Sequence, residues 1–162
     1  MAILLAACGS RPVPPIGSGP RYRPPPGAHA AGGLTCGAHA ARTWIHLELF
    51  ADGKVVVVPA GIGIRPPRRR DGAYVTGGRC RYPLYTEEPT GLVGVARPGL
   101  TLGDLFAVWG RPLGARPTVH VDGRRWTGRP QDIALTRHVQ IVVQTGKPAV
   151  VPHPRYRFPP GH

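Results

Sequence analysis

Apolar residues recur at helical spacing between Thr101 and Gly110, and this stretch organises the predicted fold. Thr101 is a suitable N-cap, and Asp104 is placed to bond back to it or to interact with the positive end of the helix. Gly110 can adopt the left-handed conformation that ends a helix, and Pro112 prevents its extension. The pattern predicts the chain's one helix over about residues 101–109. Its apolar face consists of Leu102, Leu105, Phe106 and Trp109.

Short apolar or alternating stretches on both sides of this helix predict strands. Asp52-Gly53 and Asp122-Gly123 favour tight turns, so two strand pairs are predicted to be hairpins. Residues 65–79 are predicted to form a loop, because they combine prolines, glycines and a run of arginines. The predicted strands are Thr43–Phe50, Lys54–Val58, Arg81–Tyr85, Leu92–Val95, Thr118–Val121, Arg124–Thr127 and Val139–Gln144.

The order of these elements is hairpin, insert, strand, helix, hairpin and final strand. It predicts an α+β fold that resembles the β-grasp arrangement, in which one helix crosses a mixed sheet of short strands. A β-sandwich with one helix is the alternative.

Glycine and proline divide the chain into segments. The 23 glycines and 21 prolines are concentrated near the two ends and in the insert. We therefore expect one globular domain over residues 34–146, preceded by a Pro/Gly-rich tether at residues 9–33. A Pro-rich tail at residues 147–162 is expected to be extended or disordered.

The first residues resemble a bacterial lipoprotein signal. Leu5-Ala6-Ala7-Cys8 matches a lipobox, whose cysteine is acylated, although the basic n-region is missing and the apolar stretch is short. On this interpretation residues 1–8 are a partial signal, Cys8 is lipidated, and the membrane is a partner through the acyl chains. The alternative is an apolar N-terminal segment with a buried cysteine.

The chain is strongly basic, with 21 Lys and Arg against 8 Asp and Glu and a formal net charge of +13. This charge favours an acidic partner, either an anionic envelope polymer or lipid headgroups, and it is also compatible with nucleic acid. A GC-rich genome would encode the same bias without any function. The one cluster, Arg68, Arg69 and Arg70, is a candidate anion contact and otherwise a solvated surface.

Three blocks resemble an uncharacterised family of bacterial envelope proteins: HLELFADGKVVVVPAGIGI (46–64), CRYPLYTEEPTGLVGV (80–95) and TLGDLFAVWGRPL (101–113). That family carries H-x-H-x-H-L, L-H-T-H-D and T-L-G-x-F-F-x-V-W-G blocks, whose histidines imply a metal site. Here Arg42 and Trp44 occupy two of the histidine positions and only His46 is kept. Tyr85, Glu87 and Glu88 replace the second set, so the resemblance implies the fold while the predicted metal site is absent.

Two further inferences concern side chains. With Cys8 assigned to lipid, Cys36 and Cys80 remain as a pair, and both match cysteine positions of the resembled family; we expect a disulfide, with two buried free thiols as the alternative. The sequence contains no nucleophile motif, phosphate loop or C-x-x-C pair, so no catalytic residue and no cofactor is predicted. The predicted ligand surface consists of Trp44, His46, Tyr85, Glu87 and Glu88.

These observations favour a lipid-anchored, non-catalytic binding or structural domain on the extracytoplasmic face of the cell envelope. A cytosolic basic protein that binds nucleic acid is the first alternative, and a metal-binding envelope protein is the second. No nucleic acid is expected on the favoured interpretation.

Overall fold

The structure, a computed structural model, describes residues 33–162. Cys8 and nearly all of the predicted tether lie outside the described residues. Among the described residues, no helix has the length and apolar composition needed to span a bilayer. The elements are β1 (Thr43–Ala51), β2 (Lys54–Val56), β3 (Arg69–Asp71), β4 (Tyr74–Gly77), β5 (Leu84–Tyr85), β6 (Leu92–Val95), α1 (Leu102–Trp109), β7 (Thr118–Val121), β8 (Arg124–Arg125) and β9 (Gln140–Thr145).

A mixed sheet and one helix confirm the predicted α+β class for the described residues. The strand order in the main sheet is β5-β6-β1-β9-β7-β8, and β2 pairs with the far end of β1. Strand β1 runs parallel to β9 and antiparallel to β2 and β6. The five strands β2, β1, β9, β7 and β8 are thus arranged as in a β-grasp sheet, and β6 and β5 extend this sheet on the other side of β1.

Helix α1 forms as its sequence predicts. Thr101 accepts a hydrogen bond from the Asp104 amide, and the Asp104 carboxylate accepts one from the Thr101 amide at 2.9 Å, which completes a capping box. Gly110 closes the helix in the left-handed conformation. The buried side of α1 packs on one face of the sheet, where Leu47 of β1 and Ile141 of β9 belong to the same core. The second face of the sheet therefore lies opposite the helix.

The insert between β2 and β6 is more ordered than its sequence predicted. Residues 65–79 were predicted to form a loop, and they contain a two-stranded sheet made by β3 and β4. Tyr74 and Thr76 are exposed on β4, while Val75 is fully buried and belongs to a small second core with Ile64 and Tyr85. A single buried residue is too weak a signal for a strand prediction, because the turn residues around it dominate the pattern.

The predicted disulfide is present between Cys36 and Cys80, whose Cα atoms are 5.6 Å apart. It joins the segment before β1 to the segment before β5. Next to it, the main chains of Gly37 and Arg81 exchange two hydrogen bonds, of 2.8 and 2.9 Å. The disulfide therefore links the first residues of the domain covalently to the insert.

Candidate functional site

The second face of the main sheet carries two residues of the predicted ligand surface, Trp44 and His46. Alternation along β1 directs Leu47 to the helix and Trp44, His46 and Glu48 to this second face. The parallel register places Gln140 of β9 beside His46. We call this surface the covered face and define it by Trp44, His46, Glu48, Gln140 and Gln144.

The chain itself covers this face with residues 147–162, the C-terminal segment. Gln144 holds the start of the segment, because its amide nitrogen donates to the Val150 carbonyl and its amide oxygen accepts from the Val150 amide, both at 2.7 Å. Tyr156 stacks on His46 with ring centroids 3.5 Å apart. The ring centroids of His162 and Trp44 lie 4.6 Å apart. The segment thus crosses the face from the end of β9 toward the start of β1.

A further aromatic contact fixes the middle of the segment. Phe158 stacks on His138, with ring centroids 4.4 Å apart, and Tyr156 and Phe158 meet edge to face at 5.0 Å. His138 also donates from Nε2 to the main-chain oxygen of His162 at 2.9 Å. His162 thus contacts Trp44 and His138, which come from distant parts of the chain.

His46 is buried in an environment that favours its neutral form. It is 4% exposed, and its Nε2 donates to the Thr90 carbonyl at 3.1 Å. Burial lowers the pKa of His46 to about 4, and the bond to Thr90 opposes this shift only in part. Glu48 lies 3.6 Å from Nδ1, which is too far for a hydrogen bond, and Nδ1 has no partner. Desolvation therefore decides the charge state of this histidine.

Tyr156 also approaches the acidic side chains of this region. Burial raises the pKa of Tyr156, and the negative charges of Glu88 and Glu48 raise it further. Glu87 points elsewhere: it forms an ion pair with Arg81 at 2.7 Å. The structure therefore brings Glu88 toward the covered face and engages Glu87 in the insert.

Tyr85 is a structural neighbour of the covered face. It is 3% exposed, its hydroxyl accepts from the Ala41 amide at 2.8 Å, and its ring meets Trp44 at 6.2 Å. Burial is the main cause of its raised pKa. The Arg81 guanidinium lies 5.0 Å from the ring centroid. Tyr85 thus supports Trp44 and is itself almost inaccessible.

Gln140 is the one polar side chain of the covered face whose amide lacks partners. It is 2% exposed, and neither its amide oxygen nor its amide nitrogen has a hydrogen-bond partner in the described residues. It borders a cleft of about 790 Å³ between the sheet and the C-terminal segment, which Asp122, Arg124 and Arg155 also line. A buried amide without hydrogen-bond partners is costly, so Gln140 is a destabilising feature of the covered face.

The three arginines of the cluster, Arg68, Arg69 and Arg70, differ in their exposure to solvent. Arg68 is half-buried and donates from Nε to the Ile64 carbonyl at 2.6 Å, and burial, followed by the charge of Arg70, lowers its pKa. Arg69 and Arg70 are exposed on β3. Anion binding by this cluster therefore stays a prediction. Of its three arginines, only Arg69 and Arg70 have exposed side chains that an anion could reach.

The side chains of the described residues assemble no metal site. Residues 33–162 contain no group of three or more His, Cys, Asp or Glu that would hold a metal ion. Comparisons of the chain with protein-family models, curated proteins and solved structures found no match, so they assign it to no family.

Proposed function

We propose that this protein is a non-catalytic binding domain on the extracytoplasmic face of the cell envelope, anchored through lipid at Cys8, whose covered face accepts an extended peptide rich in proline and aromatic residues. The observation that carries the binding role is the seating of the C-terminal segment on Trp44, His46 and Gln144. An extended chain on this face uses stacked rings and amide hydrogen bonds, which are general means of peptide recognition.

Two features support the location. The Cys36–Cys80 disulfide is typical of an oxidising compartment, and the Leu5-Ala6-Ala7-Cys8 sequence matches a lipobox. The resemblance to envelope proteins favours the same location. The net charge of +13 adds attraction to anionic headgroups or wall polymers.

Fractionation of cells that express the full chain tests the anchor. We expect the protein in the membrane fraction with an acyl label, and the Cys8→Ser variant without label in the soluble extracytoplasmic fraction. Cys36 and Cys80 are unchanged in the Cys8→Ser variant, so the disulfide is kept. Recovery of unlabelled wild-type protein in the cytosol would contradict the proposal and favour the basic nucleic-acid-binding alternative.

A synthetic peptide of residues 151–162 tests the binding role. We expect it to bind the full-length Tyr156→Ala/Phe158→Ala variant, whose own segment has lost two ring contacts, more tightly than wild-type protein. A peptide with alanine at the two aromatic positions is the matched control. Equal binding of both peptides to both proteins would show that the covered face does not recognise the segment.

A further inference from the structure

The segment that lies on the covered face has a near copy elsewhere in the chain. Residues 154–162 read PRYRFPPGH, and residues 20–29 read PRYRPPPGAH. Eight of the nine C-terminal residues recur in order, with Pro24 in place of Phe158 and Ala28 inserted before the last histidine. The repeat therefore contains the tyrosine and the histidine that the structure seats on His46 and Trp44.

Composition alone does not account for this repeat. The chain is rich in proline, so matches at proline carry little weight, but it contains only 5 tyrosines. Two of them, Tyr22 and Tyr156, each stand between two arginines and are followed by Pro-Pro-Gly within five residues. The shared part is thus the part that makes contacts: Tyr156 with its ring on His46, and His162 against Trp44.

We propose that Pro20–His29 of the same chain is a second ligand for the covered face and competes there with Pro154–His162. This inference rests on the proposed binding role of that face. The covered face accommodates one such segment at a time, because Tyr22 and Tyr156 require the same stacking position on His46. The protein then has two bound states, which differ in the end of the chain that lies on the sheet.

The direction of the chain suits an exchange within one molecule. The C-terminal segment ends at Trp44, at the start of β1. The residues that lead into β1 arrive at this same end, where Ala41 packs beside Tyr85 and Trp44. A linked segment acts at a high effective concentration, so the chain's own copy outcompetes that of another molecule at ordinary protein concentrations.

The C-terminal segment is expected to be the stronger ligand. Phe158 stacks on His138 at 4.4 Å, and Pro24 offers no aromatic ring there. Loss of one such ring pair corresponds to about fivefold in affinity. The inserted Ala28 also shifts His29 by one residue relative to His162. The N-terminal copy therefore occupies the face mainly after the C-terminal segment has been weakened or drawn away.

Site-specific photocrosslinking in the full chain tests the exchange. The probe p-benzoylphenylalanine replaces Tyr22, and mass spectrometry maps its cross-links. We expect cross-links to β1 and β9 to rise several-fold when Tyr156→Ala/Phe158→Ala is added. The milder Phe158→Pro variant, which makes the two copies alike through the first eight residues, should give an intermediate yield. The same probe at Ile16, outside the repeat, is the matched control.

Each outcome has a defined meaning. Mixing isotopically heavy and light protein separates cross-links within one chain from those between copies. Cross-links only between heavy and light copies, or equal yields from the Tyr22 and Ile16 probes, would overturn the inference. If the 151–162 peptide binds the double variant while the Tyr22 probe reaches no covered-face residue, the proposed binding role stands and the exchange is refuted. Retention of the Cys36–Cys80 disulfide verifies folding in every variant.

Discussion

At the scale of single residues, burial determines the properties of His46. Its ring lies between the sheet and Tyr156. Its Nε2 donates a hydrogen bond to the Thr90 carbonyl, and its Nδ1 has no hydrogen-bond partner in the described residues. His46 was predicted to be a ligand residue because it is the one histidine that this chain keeps from the H-x-H-x-H-L block of the resembled family. The sequence did not indicate burial beneath Tyr156, because that contact joins residues 110 positions apart in the chain.

The lowered pKa of His46 predicts a specific dependence of stability on pH. The folded pKa is about 4, below the ordinary value of 6.5, so the unfolded chain binds a proton that the folded chain excludes. The contribution of neutral His46 to the free energy of unfolding is complete above pH 6.5 and is lost as the pH falls toward 4. Between pH 7.5 and pH 4.5 the loss due to this residue is roughly 2 kcal/mol.

Urea unfolding of wild type and of the His46→Phe variant measures this effect. The variant keeps an aromatic ring under Tyr156 and cannot titrate at this position. We expect its free energy of unfolding to decrease by roughly 2 kcal/mol less than that of wild type over the same pH interval. Parallel stability curves for the two proteins would contradict the assigned pKa.

Metal binding at His46 is predicted to be absent. Arg42 and Trp44 stand at two positions where the resembled family has histidines, and neither supplies a metal ligand. Titration of the full chain with zinc and copper(II) should show no stoichiometric binding at micromolar affinity that is lost in His46→Ala. Such binding would mean that the face holds a working metal site.

At the scale of elements, local sequence is sufficient where an element is specified by its own residues. Helix α1 was predicted to within a residue or two, because the cap, the apolar spacing and the stop are all contained in residues 101–112. The two Asp-Gly turns also lie where predicted, with Asp52 and Asp122 at positive φ. These signals need no partner from elsewhere in the chain.

Alanine substitutions at two glycines compare a closely packed position with an open one. Gly91 and Gly99 both have positive φ, of 87° and 79°. A Cβ on Gly91 would collide with the Leu47 carbonyl oxygen, whereas a Cβ on Gly99 meets nothing within 4 Å. We expect Gly99→Ala to cost about 1 kcal/mol from the backbone conformation alone, and Gly91→Ala clearly more. Thermal unfolding compares them, and equal costs would contradict the packing of residue 91 against β1.

Elements specified by distant partners were not predictable in the same way. Strands β3 and β4 form around Val75, whose burial depends on the second core. The C-terminal segment was predicted to be extended or disordered, because its prolines exclude a helix and a central strand. The alternation Arg155-Tyr156-Arg157-Phe158 is nevertheless a strand-like signal, and it places both rings on the surface that His46 and His138 offer.

At the scale of the whole molecule, the disulfide closes a long stretch of chain. Cys36 and Cys80 are 44 positions apart, so the bridge restricts the unfolded chain considerably. The pairing was predicted by counting cysteines, whereas the packing of the C-terminal segment against the sheet required the three-dimensional structure. The predicted domain boundary at residue 146 marks a change in composition, and the contacts with the sheet continue to His162.

Removal of the disulfide should lower the free energy of unfolding by about 4 kcal/mol, because loop-closure entropy is returned to the unfolded chain. The Cys36→Ala/Cys80→Ala variant is compared with wild type by denaturant unfolding, and Cys8→Ser serves as the control with the bridge intact. An unchanged midpoint in the double variant, or two alkylatable thiols at Cys36 and Cys80 in unreduced wild-type protein, would contradict the assignment.

The parallel pairing of β1 with β9 has a consequence for the order of events during synthesis. Ala51 ends β1 and Gln140 begins β9, so the ribosome must add 89 further residues before the two central strands can meet. At about 5–20 residues per second this takes roughly 4–18 seconds. Throughout that interval β1 lacks its main neighbour, so the central sheet cannot close until its last strand has been synthesised. A chain halted before Gln140 would leave one edge of β1 without its partner strand.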